Sequence, residues 1–484
     1  MYYSEEELNR IQGASLVSEL PNTIIGDQAF QTLNKIEIPD HIKQSVVSDD
    51  LGFRKFQTGN FWQKISKFNR VTEDEFLTTR FQNSHTVTST KKLREYLGDG
   101  VSNEFLREVE SGVSNATMNL KITPYILSLI NWDNPYHDPL RKQFIPVESE
   151  MLEDHPMLTL DSLSEQADSP VKGLVHRYFD RVLFLPLDVC PVYCSFCTRS
   201  YAIGNDTQTV NKVNFRPFIK SWNKALAYIA SRPEIEDVVI SGGDTFMLGA
   251  DRLRSISNIL LAIPHVRRLR FATKGPAVMP MKILSDERWT RVIMEAVEKG
   301  RKMGKEVALH THFNSPNEIT DITRRAMGHL FRNGVKVRNQ SVLIRGVNDD
   351  IETMLHLVRK LSFMNVQPYY VYQHDMVKGT EVLRTSVAES QEVEKQLRGR
   401  TAGFNTPLFV TDAPGGGGKR DLHSYEYYDR ITGISVYRSP GVDSSKPYLY
   451  FDPVHTLTEE GKKLWEDQSI HEDLIRNAII SSGF

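Results

Sequence analysis

The segment CPVYCSFC, from Cys190 to Cys197, holds every cysteine of a 484-residue chain. Its spacing is C-x3-C-x2-C, and loops this short bring three sulfurs within reach of one small inorganic centre. A lone buried cysteine is commonly a core residue, but three at this spacing with none elsewhere read as a ligand set. Structural zinc normally takes four protein ligands; a fourth cysteine is missing, and His176 is the residue that could be recruited. An iron–sulfur cube normally takes four thiolates. With three, one iron keeps an open position that can bind a small molecule and pass it an electron.

A second stretch, VTDAPGGGGKRD (410–421), runs four consecutive glycines into Lys419. Such a run costs backbone entropy, so it should serve a close approach or unusual dihedrals; a flexible loop is the plain alternative. The P-loop pattern is not met, because Arg420 stands where Ser or Thr is needed. A lysine presented on a glycine loop would also suit a Schiff-base bond to pyridoxal phosphate. That cofactor needs cations for its phosphate, and HRYFDR (176–181) supplies Arg177 and Arg181 just before the cysteines.

These groups need elements to position them. RVLFLPLD (181–188) is strand-like, and the cysteines follow it directly; loops after strands are where parallel α/β folds place chemistry. Further strand-like runs are predicted at 237–244, 268–274, 306–314, 336–344 and 367–375, separated by amphipathic stretches such as 218–232 and 251–263. The alternation implies a parallel sheet covered by helices, and six units suit a partial barrel better than a full eight. Polar clusters close several of these strands: Ser241-Gly242-Gly243-Asp244, His310 to Asn314, Asn339-Gln340-Ser341 and Gln373-His374-Asp375. In a barrel they converge on one mouth. Three thiolates after the first barrel strand resemble the radical S-adenosylmethionine superfamily, in which the open iron chelates S-adenosylmethionine and cleaves it by electron transfer. The SGGD turn matches, with Asp for Glu, the segment that holds the methionine amino group there.

Composition sets the outer bounds. The chain is 40% apolar and 25% charged with a net charge of −2, the balance of an ordinary globular protein and not of a nucleic-acid-binding surface. No apolar run is long enough to span a bilayer. The start, MYYSEEELNRIQG, has neither the basic nor the apolar block of a signal peptide. A reducing, cytoplasmic setting is the expectation.

The chain closely resembles the lysine 2,3-aminomutase family of radical S-adenosylmethionine, pyridoxal-phosphate enzymes over roughly residues 60 to 440. ITPYILSLI (122–130), DSPVKGLVHRYFDRVLF (168–184), CPVYCSFCTR, SGGD, THFNSPNEIT, NQSVLIRGVND, PYYVYQHD and DAPGGGGK follow the family order. The resemblance implies an α/β partial (β/α)6 barrel. Its core would span 166–385, between a helical region at 61–165 preceded by an extension at 1–60, and a lysine-bearing segment at 386–440 followed by a tail at 441–484. It implies Cys190, Cys194 and Cys197 as [4Fe-4S] ligands and Lys419 as the pyridoxal-phosphate lysine, with Arg177, Tyr178 and Arg181 on the phosphate. Ser241, Gly242, Gly243, Asp244, His312 and Gln340 would contact S-adenosylmethionine. Arg199 would bind the substrate carboxylate, and Asp375 with Asp412 the side-chain ammonium of lysine. A flavodoxin- or ferredoxin-type electron donor and a homo-oligomer are implied as well.

Four departures stand out. The arginine run after the third cysteine keeps Arg199 but loses its two basic neighbours. The cysteines of a structural zinc site found in some members are absent, with Asp350 at one of those positions. About sixty residues are added at the N-terminus, and the C-terminal part resembles a longer branch. The expected reaction is L-lysine to L-β-lysine, with arginine, then glutamate, as alternative substrates. A cluster-bearing sensor or binding protein is the non-enzymatic alternative.

Overall fold

All six predicted strands form, in order, in a nine-stranded sheet. The computed structural model describes residues 51–213 and 219–484. Positions 1–50 of the expected 1–60 extension, and Phe218 of the amphipathic stretch, lie outside the described residues. Residues Phe53–Phe484 form one compact unit.

The strands are β1 (Leu174–Tyr178), β2 (Arg181–Phe184), β3 (Asp237–Ile240), β4 (Arg268–Ala272), β5 (Glu306–Thr311), β6 (Lys336–Val342), β7 (Val366–Tyr372), β8 (Leu408–Ala413) and β9 (Gly418–Asp421). From β2 to β8 every pairing is parallel. The crossovers carry helices Ile219–Ala230, Ala250–Ala262, Glu287–Lys302, Asp321–Arg332, Ile351–Phe363 and Val387–Leu397, which makes six β/α units. The parallel sheet thus runs one strand beyond the six predicted, and an antiparallel strand borders it on each side. β1 and β9 end the order, and among the described residues no pairing joins them; the barrel is partial.

The crossover helices start on local signals. Thr320 caps Asp321–Arg332 with its hydroxyl, and Asp286 caps Glu287–Lys302 with its carboxylate. Asp350 is also a helix cap, accepting from the Thr353 N–H at 2.9 Å. Both faces of the strands meet side chains, but the inner face is polar. Asp237, Val239 and Ser241, then Arg270 and Ala272, His310 and His312, Gln340 and Val342, Tyr370 and Tyr372 all line the interior, the period of two that a pleated strand dictates.

The N-terminal helical region clamps the cysteine loop. The main-chain N–H groups on either side of Cys194 donate to it, Tyr193 to the Lys121 carbonyl (2.9 Å) and Ser195 to the Gln143 carbonyl (2.8 Å). Beyond β9, strands β10 (Tyr425–Asp429), β11 (Ile434–Ser439) and β12 (Asp443–Phe451) form a separate antiparallel sheet that the sequence reading did not anticipate. It supports the barrel's later strands: the Tyr450 hydroxyl donates to the His374 carbonyl (2.9 Å) and accepts from Gln373 (2.9 Å). Among the described residues no helix is long and apolar enough to cross a membrane.

Candidate active site

The barrel interior opens into a cavity of about 490 Å³, lined by every sequence-predicted site residue except Gly242. Cys190, Cys194 and Cys197 sit on its wall as free thiols. Burial raises all three above the ordinary thiol range, Cys194 to about 12; thiolates here need a cationic centre to be stable. Among the described residues no three such side chains converge on one ion's position. Three free thiols on one loop are nonetheless the donor chemistry of an iron–sulfur cluster. His176, the candidate fourth zinc ligand, instead bonds the Tyr228 hydroxyl at 2.9 Å.

The SGGD turn follows β3 and is sewn to the cysteine loop. Gly243 N–H donates to the Leu187 carbonyl (2.7 Å) and Asp244 N–H to the Val189 carbonyl (2.9 Å). Gly242 lies behind the cavity at φ +96°, where a Cβ would stand 2.2 Å from the Leu187 oxygen. Gly242→Ala should therefore force the two loops apart and cost roughly 1–3 kcal/mol in backbone strain alone. Thermal midpoint and iron content of the purified variant should both fall; a wild-type midpoint would contradict this packing role. Asp244 is 3% exposed, and its carboxylate accepts from the Phe246 N–H (2.8 Å) and the Lys274 N–H (2.7 Å).

His312, just past β5, has its Nε2 buried without a hydrogen-bond partner. Burial, then the Lys274 cation, pushes it well below the ordinary histidine range, so it offers a neutral ring that stacks on Phe196 (centroids 5.6 Å apart). Gln340 reaches His310 at 3.4 Å. Not every polar strand end faces chemistry, however. Asn339 accepts from Phe313 N–H (2.7 Å), Asn314 from Val342 N–H (2.9 Å), and Gln373 donates to the Thr385 carbonyl (2.6 Å); these tie strand ends together.

Lys419 lies on β9 directly opposite Asp412 of β8, and the glycines make the hairpin between them. Gly415, Gly416 and Gly418 all have positive φ, and a Cβ on Gly417 would strike the Tyr448 ring at 2.5 Å. At Gly418 a Cβ would meet the Tyr178 hydroxyl at 2.5 Å, the same hydroxyl that accepts the Lys419 main-chain N–H at 2.7 Å. The glycines thus let Tyr178 and Tyr448 pack against the turn that carries Lys419. Arg181 lies over the Tyr178 ring (3.8 Å), while Arg177 is held by Asp168 at 2.7 Å. The Lys419 ammonium pairs with Asp412 at 2.8 Å and faces the Tyr372 ring at 5.3 Å. Burial acts against both charges; Asp412, the first of the opposing influences, nonetheless holds Lys419 well above its usual value, and Lys419 in turn holds Asp412 below its own.

Asp375 follows β7 and accepts from the Thr198 hydroxyl, one residue past the third cysteine. Burial, then the charge of Asp412, pushes it up to about 7. Asp412 Oδ1 is buried with no hydrogen-bond partner. Arg199 completes the ring of charges and pairs with Glu165 at 2.6 Å. Sequence reasoning missed Glu165, Thr198 and the buried Lys274–Glu318 pair (2.9 Å) behind the cysteines. Only Thr198 carried a local signal, its place beside Cys197.

No protein-family model matches the chain. The chain is 39% identical over 361 residues to an L-lysine 2,3-aminomutase from Clostridium subterminale, covering 74% of this chain and 80% of that one. It is 32% identical over 415 residues to a glutamate 2,3-aminomutase from Clostridioides difficile, covering 85% and 87%. Among solved structures, a radical SAM methyltransferase from Sphaerobacter thermophilus matches at 19% identity and a TM-score of 0.32, over 49% of this chain and 68% of that one. With its three-cysteine loop on a partial barrel and this extent of identity, the chain is an isomerase of the radical S-adenosylmethionine type and belongs to the lysine 2,3-aminomutase family.

Proposed function

We propose that this aminomutase moves the α-amino group of L-lysine to the β-carbon, giving L-β-lysine. The observation that carries the reading is the placement of Asp375 and Asp412 on one cavity wall together with Arg199 and Lys419. Cys190, Cys194 and Cys197 would hold a [4Fe-4S] cluster; Asp244, His312 and Gln340 border the space for S-adenosylmethionine; Lys419, Tyr178, Arg177 and Arg181 would hold pyridoxal phosphate. When bound, these groups supply abstraction of a non-acidic β-hydrogen and delocalisation for the migrating nitrogen.

The chain's own residues place the substrate. Arg199 takes the α-carboxylate, and the two aspartates take the ε-ammonium. Lys419 holds a proton at Nζ while it is paired with Asp412. Pyridoxal phosphate held at Lys419 would draw that cation away from Asp412, which would leave the carboxylate for the substrate ammonium. The unpartnered Asp412 Oδ1 is a ready acceptor for it. A glutamate side chain would instead bring a further carboxylate beside two others, at a cost in a buried site. A cytoplasmic setting and a small redox protein as electron donor go with this reading.

Incubating the reduced enzyme and S-adenosylmethionine separately with lysine, arginine and glutamate tests it. β-Lysine as the main product supports the proposal. Rearrangement of arginine alone would keep the aspartate pair and refute lysine; rearrangement of glutamate would refute both.

Each charge-assisted hydrogen bond to a desolvated ammonium contributes roughly 1.5–3 kcal/mol. Asp375→Asn or Asp412→Asn should therefore lower kcat/KM for lysine at least about tenfold, or ~1.4 kcal/mol. The pH dependence has a definite sign. With its pKa near 7, Asp375 is neutral below that pH and charged above it, so lysine affinity should rise as pH increases through 7. Binding at pH 6.5 should release a proton, measurable by calorimetry in buffers of different ionisation enthalpy, and Asp375→Asn should abolish that release.

A further inference from the structure

Arg199 sits on the cavity wall with 22% of its side chain exposed, and a charge that far from water needs a partner. It has one in Glu165, which lines the same cavity and whose side chain is only 5% exposed. Arg199 Nη2 donates to Glu165 Oε1 at 2.6 Å, and the Tyr201 hydroxyl donates to Glu165 Oε2 at 3.1 Å. Both carboxylate oxygens are therefore held by the protein. Arg199 Nε remains buried with no hydrogen-bond partner, a donor still to be used. Glu165 is itself fixed from behind: its main-chain N–H donates to Asp161 Oδ1 at 2.9 Å, and Asp161 Oδ2 accepts from the Gln166 N–H at 3.0 Å.

We infer that Glu165, braced by Tyr201 and the Asp161 turn, is a positioning residue that aims the Arg199 guanidinium at the carboxylate of the amino-acid substrate. The inference rests on the reading that Arg199 binds that carboxylate. A planar guanidinium recognises a carboxylate only when its N–H fork is correctly turned. A carboxylate paired with it fixes the rotation and offsets the cost of burying the cation. Glutamine at 165 keeps a carbonyl oxygen for Arg199 and an NH2 that can donate to the Tyr201 hydroxyl, but it removes the charge that makes the Arg199 contact charge-assisted. Phenylalanine at 201 frees one oxygen of Glu165 and loosens the brace without removing the charge.

The test compares equilibrium binding of L-lysine and L-lysine amide, which lacks the carboxylate charge, to the enzyme carrying its cofactors. The wild type should bind lysine at least about tenfold more tightly than the amide, as one desolvated charge-assisted contact implies. In Glu165→Gln, affinity for lysine should fall at least about tenfold while affinity for the amide changes less than about twofold, with iron and pyridoxal phosphate content unchanged. Tyr201→Phe should shift the ratio in the same direction by a smaller factor. A Glu165→Gln enzyme that keeps the wild-type ratio, or weakens both ligands equally, overturns the inference. Should that variant fail to fold, an unchanged ratio in Tyr201→Phe overturns it. A wild type that does not distinguish the two ligands refutes the Arg199 reading itself, and this inference with it.

Discussion

An enzyme in which any one of Cys190, Cys194 or Cys197 is replaced by alanine should lose turnover and the reductive cleavage of S-adenosylmethionine altogether. The three sit in an eight-residue loop whose shape is imposed from outside. The Lys121 and Gln143 carbonyls hold Tyr193 and Ser195 on one side, and the SGGD turn holds Leu187 and Val189 on the other. A missing thiolate therefore cannot be replaced by a neighbour swinging in, and Cys190, Cys194 and Cys197 are the chain's only cysteines. The loop should keep its fold without the metal, because these hydrogen bonds are all to main-chain atoms. Each variant should thus be soluble and of nearly wild-type secondary structure by circular dichroism, yet poor in iron. Full activity in any one of them would sink the cluster assignment. Loss of zinc with iron retained would point to a structural metal.

Much of this architecture was legible because the strands of a parallel sheet alternate with helices, and several of them end in polar clusters. The inward period of two along DVVIS and ALHTH is also a local property, so the barrel wall could be read from sequence. The β8–β9 hairpin was half legible. The glycines marked the turn, but the register that sets Lys419 opposite Asp412 depends on pairing. What was not legible is what distance in sequence hides. Glu165 is thirty-four residues from Arg199 and Glu318 forty-four from Lys274, so no local spacing announces either buried pair. The sheet β10–β12 escaped for a different reason. Its strands are rich in tyrosine and lie past the last motif, and their role is to brace Tyr448 against the glycine turn and Tyr450 against the Asp375 segment. Asn314 and Asn339 misled in the opposite sense: their types suit a binding site, yet their side chains are spent on neighbouring strand ends.

Lys419→Ala should lose all aminomutase activity and the visible absorbance of lysine-bound pyridoxal phosphate, while keeping its iron. The two parts of that outcome come from two different elements. Lys419 belongs to the β8–β9 hairpin, and the cysteines to the loop after β2; the variant removes no contact of the cysteine loop. Iron content should therefore match the wild type. The hairpin should survive too, since its turn depends on glycine dihedrals and on the Lys419 main-chain N–H donating to Tyr178, which alanine retains. What changes is charge. Removing the ammonium leaves Asp412 buried beside Asp375 without its nearest cation, and two carboxylates in one cavity cannot both stay ionised cheaply. One of them should take up a proton in the variant, so its apparent pKa moves above the wild-type value. Added ethylamine or methylamine, which can occupy the space of the lost side chain, should lower that pKa again and restore part of the activity. Borohydride reduction of the wild type should fix the cofactor to the peptide that contains Lys419. Labelling of another lysine, such as Lys378, would refute the hairpin as the cofactor's anchor while leaving the cysteine assignment intact.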